Sequence, residues 1–112
     1  MKHHNQIKLT GCLFLLAAAL SYAAPVAENW DNNCTKCHGA DGKGQTKVGK
    51  KLSLKDYTDA KVQAELKDTD MAKAITEGVK DKNGKEKMKA YAPTLAPAEI
   101  TDLVAYIRKF KA

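Results

Sequence analysis

Cys34, Cys37 and His38 are the residues of this chain whose types and spacing carry chemistry. They stand in the run Cys34-Thr35-Lys36-Cys37-His38, and C-x-x-C-H is the attachment signature for a c-type haem. In a helical turn, positions i, i+3 and i+4 share a face. Two thiols so placed reach the two vinyl groups on one edge of a porphyrin and form thioethers. The imidazole that follows faces the iron as its proximal ligand. Other chemistries also use Cys and His at short range. Zinc takes four N or S ligands, yet beyond residue 23 the chain offers no other Cys or His. A thioredoxin-like pair sits at a helix start in a βαβ context, and no strand pattern surrounds this one. A local disulfide would leave His38 unexplained.

A six-coordinate iron needs a second axial ligand. His38 is the only His beyond the N-terminal segment, so bis-histidine ligation within the chain is excluded. Met71, Met88, a Lys or an open position remain. Met71, Ile75 and Val79 follow i, i+4, i+8, the buried stripe of a helix, which reads Met71 as a core residue. Met88 lies among Lys85, Glu86, Lys87 and Lys89, ahead of Pro93, where a lone thioether has little to pack against. That contrast makes Met88 the expected distal ligand.

The elements that must position these residues are helical. A first helix is expected over about Val26–Lys36, carrying Trp30 near the haem or the last helix. A glycine-rich stretch from Gly39 to Thr46, free of bulky apolar residues, is expected to wrap the haem edge. A short helix is expected over about Asp59–Leu66 and another over Thr69–Glu77, stopped by Gly78. Asn83-Gly84 marks a turn. The last helix is expected over Pro97–Lys109. It has Pro97 at its first position, Glu99 in the acidic first turn, and Ile100, Leu103, Val104 and Ile107 as its buried stripe. The first and last helices are expected to cross. No internal repeat or second-domain linker is visible.

Residues 1–23 read as a cleavable secretory signal. Lys2 and Lys8 precede an apolar run from Leu9 to Leu20, and Ser21-Tyr22-Ala23 forms a small-x-small cleavage site. The run is shorter than the ~20 residues that span a bilayer. A retained N-terminal anchor is the competing reading. Leu9-Thr10-Gly11-Cys12 resembles a lipoprotein box, but most of the apolar run comes after the cysteine rather than before it. Residues 24–112 are then the domain, and it holds Cys34 and Cys37 without Cys12.

The 112 residues carry a net charge of +6, with only 6% aromatic residues. So few large side chains make a marginal core for a small domain, which points to a cofactor completing it. Nucleic acid is not the expected partner, because no aromatic-basic platform is visible and the chain is read as exported.

With these residues in place, the sequence resembles the small bacterial class I cytochromes c, soluble monohaem proteins. The haem motif is continued by Gly39-Ala40-Asp41-Gly42-Lys43-Gly44, Met88-Lys89-Ala90-Tyr91 looks like the axial-methionine loop, and Glu99 to Arg108 looks like the C-terminal helix. The resemblance implies an all-α fold, a domain of three to four helices wrapped around one covalent haem c. It implies His38/Met88 ligation and one-electron transport without enzymatic turnover. Redox proteins are the implied partners. Lys36, Lys43, Lys47, Lys50 and Lys51 around the haem motif, with Lys80, Lys82, Lys85, Lys87 and Lys89 around the methionine loop, would suit an acidic docking face. A monomer, periplasmic or otherwise exported and without stable membrane insertion, is expected. The alternative is a haem enzyme or a gas or redox sensor with a dissociable sixth ligand, with Lys87 or Lys89 able to replace Met88. Two departures from the family pattern stand out. No Pro lies between His38 and Leu54 to offer the carbonyl that usually accepts from the imidazole, and Ala96 holds the place of a side-chain cap before the last helix.

Overall fold

The computed structural model describes residues 24–112; the signal expected over 1–23, with its expected cleavage site, lies outside the described residues. Helix α1 spans Val26–Asn33 behind Pro25, with Glu28 in its first turn, where a negative charge meets the positive end of the helix. It ends at Cys34, whose backbone (φ −117°, ψ −34°) still donates to Trp30 O at 2.8 Å. Helix α2, Thr35–His38, restarts at once and stops at Gly39 in a positive-φ conformation (82°) that suits a residue without Cβ. The single helix expected over Val26–Lys36 is therefore broken at the first cysteine of the motif, and its second piece runs on to His38.

A short helix not anticipated from the sequence, α3 over Lys47–Lys51, follows the glycine-rich stretch. Its polar Lys-Val-Gly-Lys-Lys run shows no apolar period, so only its cap could have announced it. Thr46 Oγ1 accepts from Gly49 N at 2.9 Å and donates to Cys37 O at 2.6 Å. One side chain thus caps the helix and ties it to the motif.

Helix α4 spans Ala60–Glu65, with Asp59 as its N-cap accepting from Lys61 N at 2.8 Å. Helix α5 spans Asp68–Glu77, with Asp68 and Asp70 in its first turn and Gly78 (φ 77°) at its end. Both lie close to their expected positions. A two-stranded antiparallel hairpin then pairs β1, Val79–Lys80, with β2, Glu86–Met88. Its register sets Val79 opposite Met88 and Lys80 opposite Glu86, with an irregularity between Val79 and Lys80. Asp81 Oδ1 closes the turn by accepting from Asn83 N (2.8 Å) and Lys85 N (2.9 Å). The hairpin was legible only as the Asn83-Gly84 turn, because two and three residues are too short for a strand period to show.

Helix α6 spans Pro97–Arg108. Ala96 has no side chain with which to cap it, but Glu99 supplies half of the reciprocal arrangement: its Oε1 accepts from Ala96 N at 3.1 Å. Its Oε2 accepts from Asn29 Nδ2 of α1 at 2.8 Å. The same carboxylate therefore secures the start of α6 and its crossing with α1. The expected stripe of Ile100, Leu103, Val104 and Ile107 is buried together with Trp30, Met71, Ile75, Tyr91 and Leu95. Trp30 and Leu103 lie at the centre, each 1% exposed. Helix α6 packs against both α1 and α5. At its far end Arg108 clamps the α4–α5 connection, donating to Gln63 O, Gln63 Oε1 and Leu66 O and pairing with Asp68 at 2.8 Å.

Candidate haem site

Two adjoining cavities open between these elements. The larger, about 650 Å³, is lined by Cys34, Cys37 and His38 from the motif, by Met88 and its neighbours on β2, and by Tyr57 and Tyr91 among others. The smaller, about 150 Å³, shares Cys34, His38, Tyr57 and Met88, and adds Trp30, Met71, Ile75, Leu103 and Ile107 from the core. The four side chains singled out from the sequence therefore come to one cavity, although 50 residues of chain separate His38 from Met88. Met71 and Ile75 are buried in the core, but Val79, the third residue of the expected stripe, is 38% exposed because the helix ends at Glu77 and Val79 starts β1; Met71 also faces the smaller cavity.

The motif reaches the cavity because of how its helices are held. Hydrogen bonds from Cys34 N to Trp30 O and from His38 N to Cys34 O carry the chain from α1 into α2, and Trp30 anchors the junction. Its Nε1 donates to Gly39 O at 3.1 Å, and its ring packs on Tyr106 and Phe110 at 5.5 and 5.0 Å between centroids. Tyr91 Oη reaches back to Asn33 O at 2.8 Å, tying the chain beyond Met88 to the end of α1. Tyr91 N donates to Ile75 O at 2.9 Å, which fixes the same segment to α5.

The glycine-rich stretch takes a different place from the one expected. None of its residues lines either cavity. It lies behind the motif, where Gly44 N donates to His38 O at 2.8 Å. A Cβ at Gly42 (φ 71°) would fall 2.8 Å from the Phe110 ring. Gly42 serves close packing on the Phe110 ring, and Gly44 serves it on Leu54 and the Lys55 carbonyl. Gly49 belongs to the same support: a Cβ there would run into Gly44 O and lie 2.6 Å from Cys37 O.

The electrostatics suit a tetrapyrrole better than the other Cys/His chemistries. Cys34 and Cys37 are free thiols, both partly buried. Burial, reinforced by the neighbouring Cys37, pushes the Cys34 thiol up to about 11, so it is not the acidic thiolate that a thioredoxin-like pair needs. Burial lowers the His38 imidazole below its ordinary value and keeps it neutral, the form that binds a metal. Among the described residues no group of three or more His, Cys, Asp or Glu could hold a metal ion, which leaves the zinc reading without ligands. His38 Nδ1 is buried and has no hydrogen-bond partner among the described residues, while the residue lines both cavities. Two free thiols, one imidazole and one thioether around a largely apolar space fit a porphyrin that is attached at one edge and ligated on both faces.

Tyr57 is the site residue that sequence reasoning missed. It lines both cavities, and its ring stacks on His38 at 5.3 Å between centroids and 20° between planes. The one signal that could have found it is an aromatic residue alone in the polar run Lys55-Asp56-Tyr57-Thr58-Asp59, in a chain poor in aromatics. Among the described residues, no helix is long and apolar enough to cross a membrane.

Comparison with known proteins agrees with this geometry. The profile of the Cytochrome c family matches residues 23–111. Among solved structures, the KustC0563 c-type cytochrome is similar at 30% identity and a TM-score of 0.70, over 80% of this chain and all of that one. A tyrosine-to-phenylalanine variant of Kustc0563 is similar at 31% identity and a TM-score of 0.67, over 79% of this chain and all of that one. No curated protein matches. A family match over the whole described domain, a shared helical fold and a site with the right donors lead to one conclusion: the chain belongs to the cytochrome c family and carries haem c covalently.

Proposed function

We propose that this cytochrome is a one-electron carrier in which Cys34 and Cys37 form the thioethers and His38 and Met88 are the axial ligands. The family as a whole supports an electron-carrier role for haem c; the assignment to these residues is the proposal. The observation that carries it is the convergence of Cys34, Cys37, His38 and Met88 on one cavity. Haem iron supplies a reversible one-electron couple between Fe(III) and Fe(II).

The residues of the chain do the rest. His38 presents Nε2, and Met88, held on β2 opposite Val79, presents a thioether. A thioether ligand favours the ferrous state and raises the potential. The apolar lining from Ile75, Leu103 and Ile107 acts in the same direction, because a low-dielectric surrounding disfavours the extra ferric charge. Redox proteins are the partners. The mouth of the larger cavity carries Lys36, Lys55, Lys87 and Lys89, with Glu86 the acidic residue among them. Such a rim favours docking of an acidic partner surface. Lys43, Lys47, Lys50 and Lys51, and likewise Lys80, Lys82 and Lys85, do not line either cavity, so the docking face rests on Lys36, Lys55, Lys87 and Lys89. Residues 1–23 act as the export signal that delivers the domain, a monomer, to the periplasm.

Carbon monoxide distinguishes the carrier from the sensor or enzyme with an open sixth position. If Met88 stays bound, the reduced protein leaves CO unbound and its visible spectrum unchanged at neutral pH. Rapid formation of a CO adduct would overturn the carrier reading in favour of a dissociable ligand.

A further inference from the structure

Metal-ligating histidines nearly always donate their second ring N–H to a carbonyl, carboxylate or water, and that bond fixes the ring plane and raises the basicity of the ligand. Among the described residues His38 has no such device: Nδ1 is buried without a partner. Two aromatic rings flank the imidazole instead. Tyr57 stacks on it at 5.3 Å and 20°, and Trp30 lies against it at 5.7 Å and 40°.

Both rings are fixed from elsewhere in the fold. Trp30 is pinned by its Nε1 bond to Gly39 O. Tyr57 sits outside any helix or strand, yet its backbone is held on both sides. Its N donates to Gly42 O at 2.9 Å, and its carbonyl accepts from Gln63 Nε2 at 2.7 Å. Gln63 is 6% exposed and also donates to Ile107 O at 2.9 Å, which anchors the arrangement on α6. Asp56 Oδ1 closes the turn through Thr58 N (2.8 Å) and Thr58 Oγ1 (2.6 Å). The bonds that tie this connecting segment to α4 and α6 also fix the Tyr57 backbone, and its ring lies within 20° of the imidazole plane.

We infer that Tyr57 is the positioning residue for His38: with Trp30 it forms an aromatic clamp that replaces the missing Nδ1 hydrogen bond. The inference rests on His38 being the proximal ligand. Stacking between rings at these separations is directional, so it holds the plane of the imidazole. Unlike a carbonyl acceptor, it lends the ring no added basicity. The clamp also covers Nδ1 and keeps water from serving as an acceptor. The proximal ligand is thereby oriented but weakly donating, which favours the ferrous state.

The test compares the wild-type holoprotein with Tyr57→Phe and Tyr57→Leu. Wild-type ferric protein should give a single low-spin species by electron paramagnetic resonance. Its His38 Nδ1–H should exchange slowly with solvent by NMR. Tyr57→Phe keeps the ring and should keep the signal, the slow exchange and the potential. Tyr57→Leu should split or broaden the signal, speed the exchange and lower the potential as water reaches Nδ1. A Tyr57→Leu protein identical to wild type, or a Tyr57→Phe protein as altered as Tyr57→Leu, would overturn the clamp. Should the leucine variant fail to mature, the exchange rate in wild type still decides, since Nδ1–H exchanging at the solvent rate contradicts a sealed ring. A wild-type spectrum without any low-spin histidine-ligated iron would instead sink the assignment of His38 itself, an outcome distinct from failure of the clamp.

Discussion

At the scale of single residues, Cys34, Cys37, His38 and Met88, proposed as thioether donors and axial ligands, line one cavity. Cys34, Cys37 and His38 announce themselves by spacing, and Met88 by being the wrong residue for its surroundings. What the sequence could not reveal is what surrounds His38. Tyr57 is 19 positions away along an irregular segment, and its ring meets the imidazole only through tertiary packing. Likewise the missing Pro carbonyl left the fate of Nδ1 undefined until its burial without a partner was seen. Met88→Ala separates the proposed distal ligand from Met71, which faces the smaller cavity. The variant should lose the far-red sulfur-to-iron charge-transfer band of the ferric protein, and its potential should fall, since the thioether is what favours Fe(II). An unchanged band and potential would move the assignment to Met71.

At the scale of elements, the two long helices that bound the core were legible because each buries an apolar stripe of helical period against a partner. The shorter pieces were not: α3 has no stripe, and the hairpin strands are shorter than the period that would reveal them. The glycine-rich stretch was assigned to the wrong place. Lack of bulk says that a segment packs closely but not against what, and here the partner is Phe110 and the back of the motif. Gly49→Ala tests that support. The added methyl meets backbone oxygens of Gly44 and Cys37 that cannot swing aside, and overpacking of this kind costs about 1–3 kcal/mol. Thermal unfolding of the holoprotein should show the loss. Glu99 tests the crossing of α1 and α6. Hydrogen bonds from Asn29 and from Ala96 N hold its carboxyl below the usual carboxylate range. A group with a depressed folded-state pKa stabilises fully above its ordinary pKa, and that contribution is lost as pH falls through the depressed value. Glu99→Gln should therefore lower Tm at neutral pH, with the gap from wild type closing in acid. A gap that stays constant as pH falls would show that the charge plays no part.

At the scale of the molecule, a chain with 6% aromatic residues gathers most of them around one site: Trp30, Tyr57 and Tyr91 line the cavities, while Tyr106 and Phe110 back Trp30. Among the described residues nine buried apolar side chains form the core, and five of them, Trp30, Met71, Ile75, Leu103 and Ile107, line the smaller cavity. A small domain with its apolar centre opened to water has little surplus stability to draw on. Blocking attachment should therefore unfold it: a Cys34→Ala/Cys37→Ala protein should show weak helical circular dichroism and no cooperative melt. Composition alone suggested this dependence, and the structure locates it at the junction of α1, α5, β2 and α6. The central claim, a single electron carried at a covalent haem between His38 and Met88, is tested most directly by a spectrophotometric redox titration of the purified wild-type protein. The account predicts one reversible one-electron transition that carries the far-red charge-transfer band only in the oxidised form. A multistep transition, or an oxidised spectrum without that band, would contradict it.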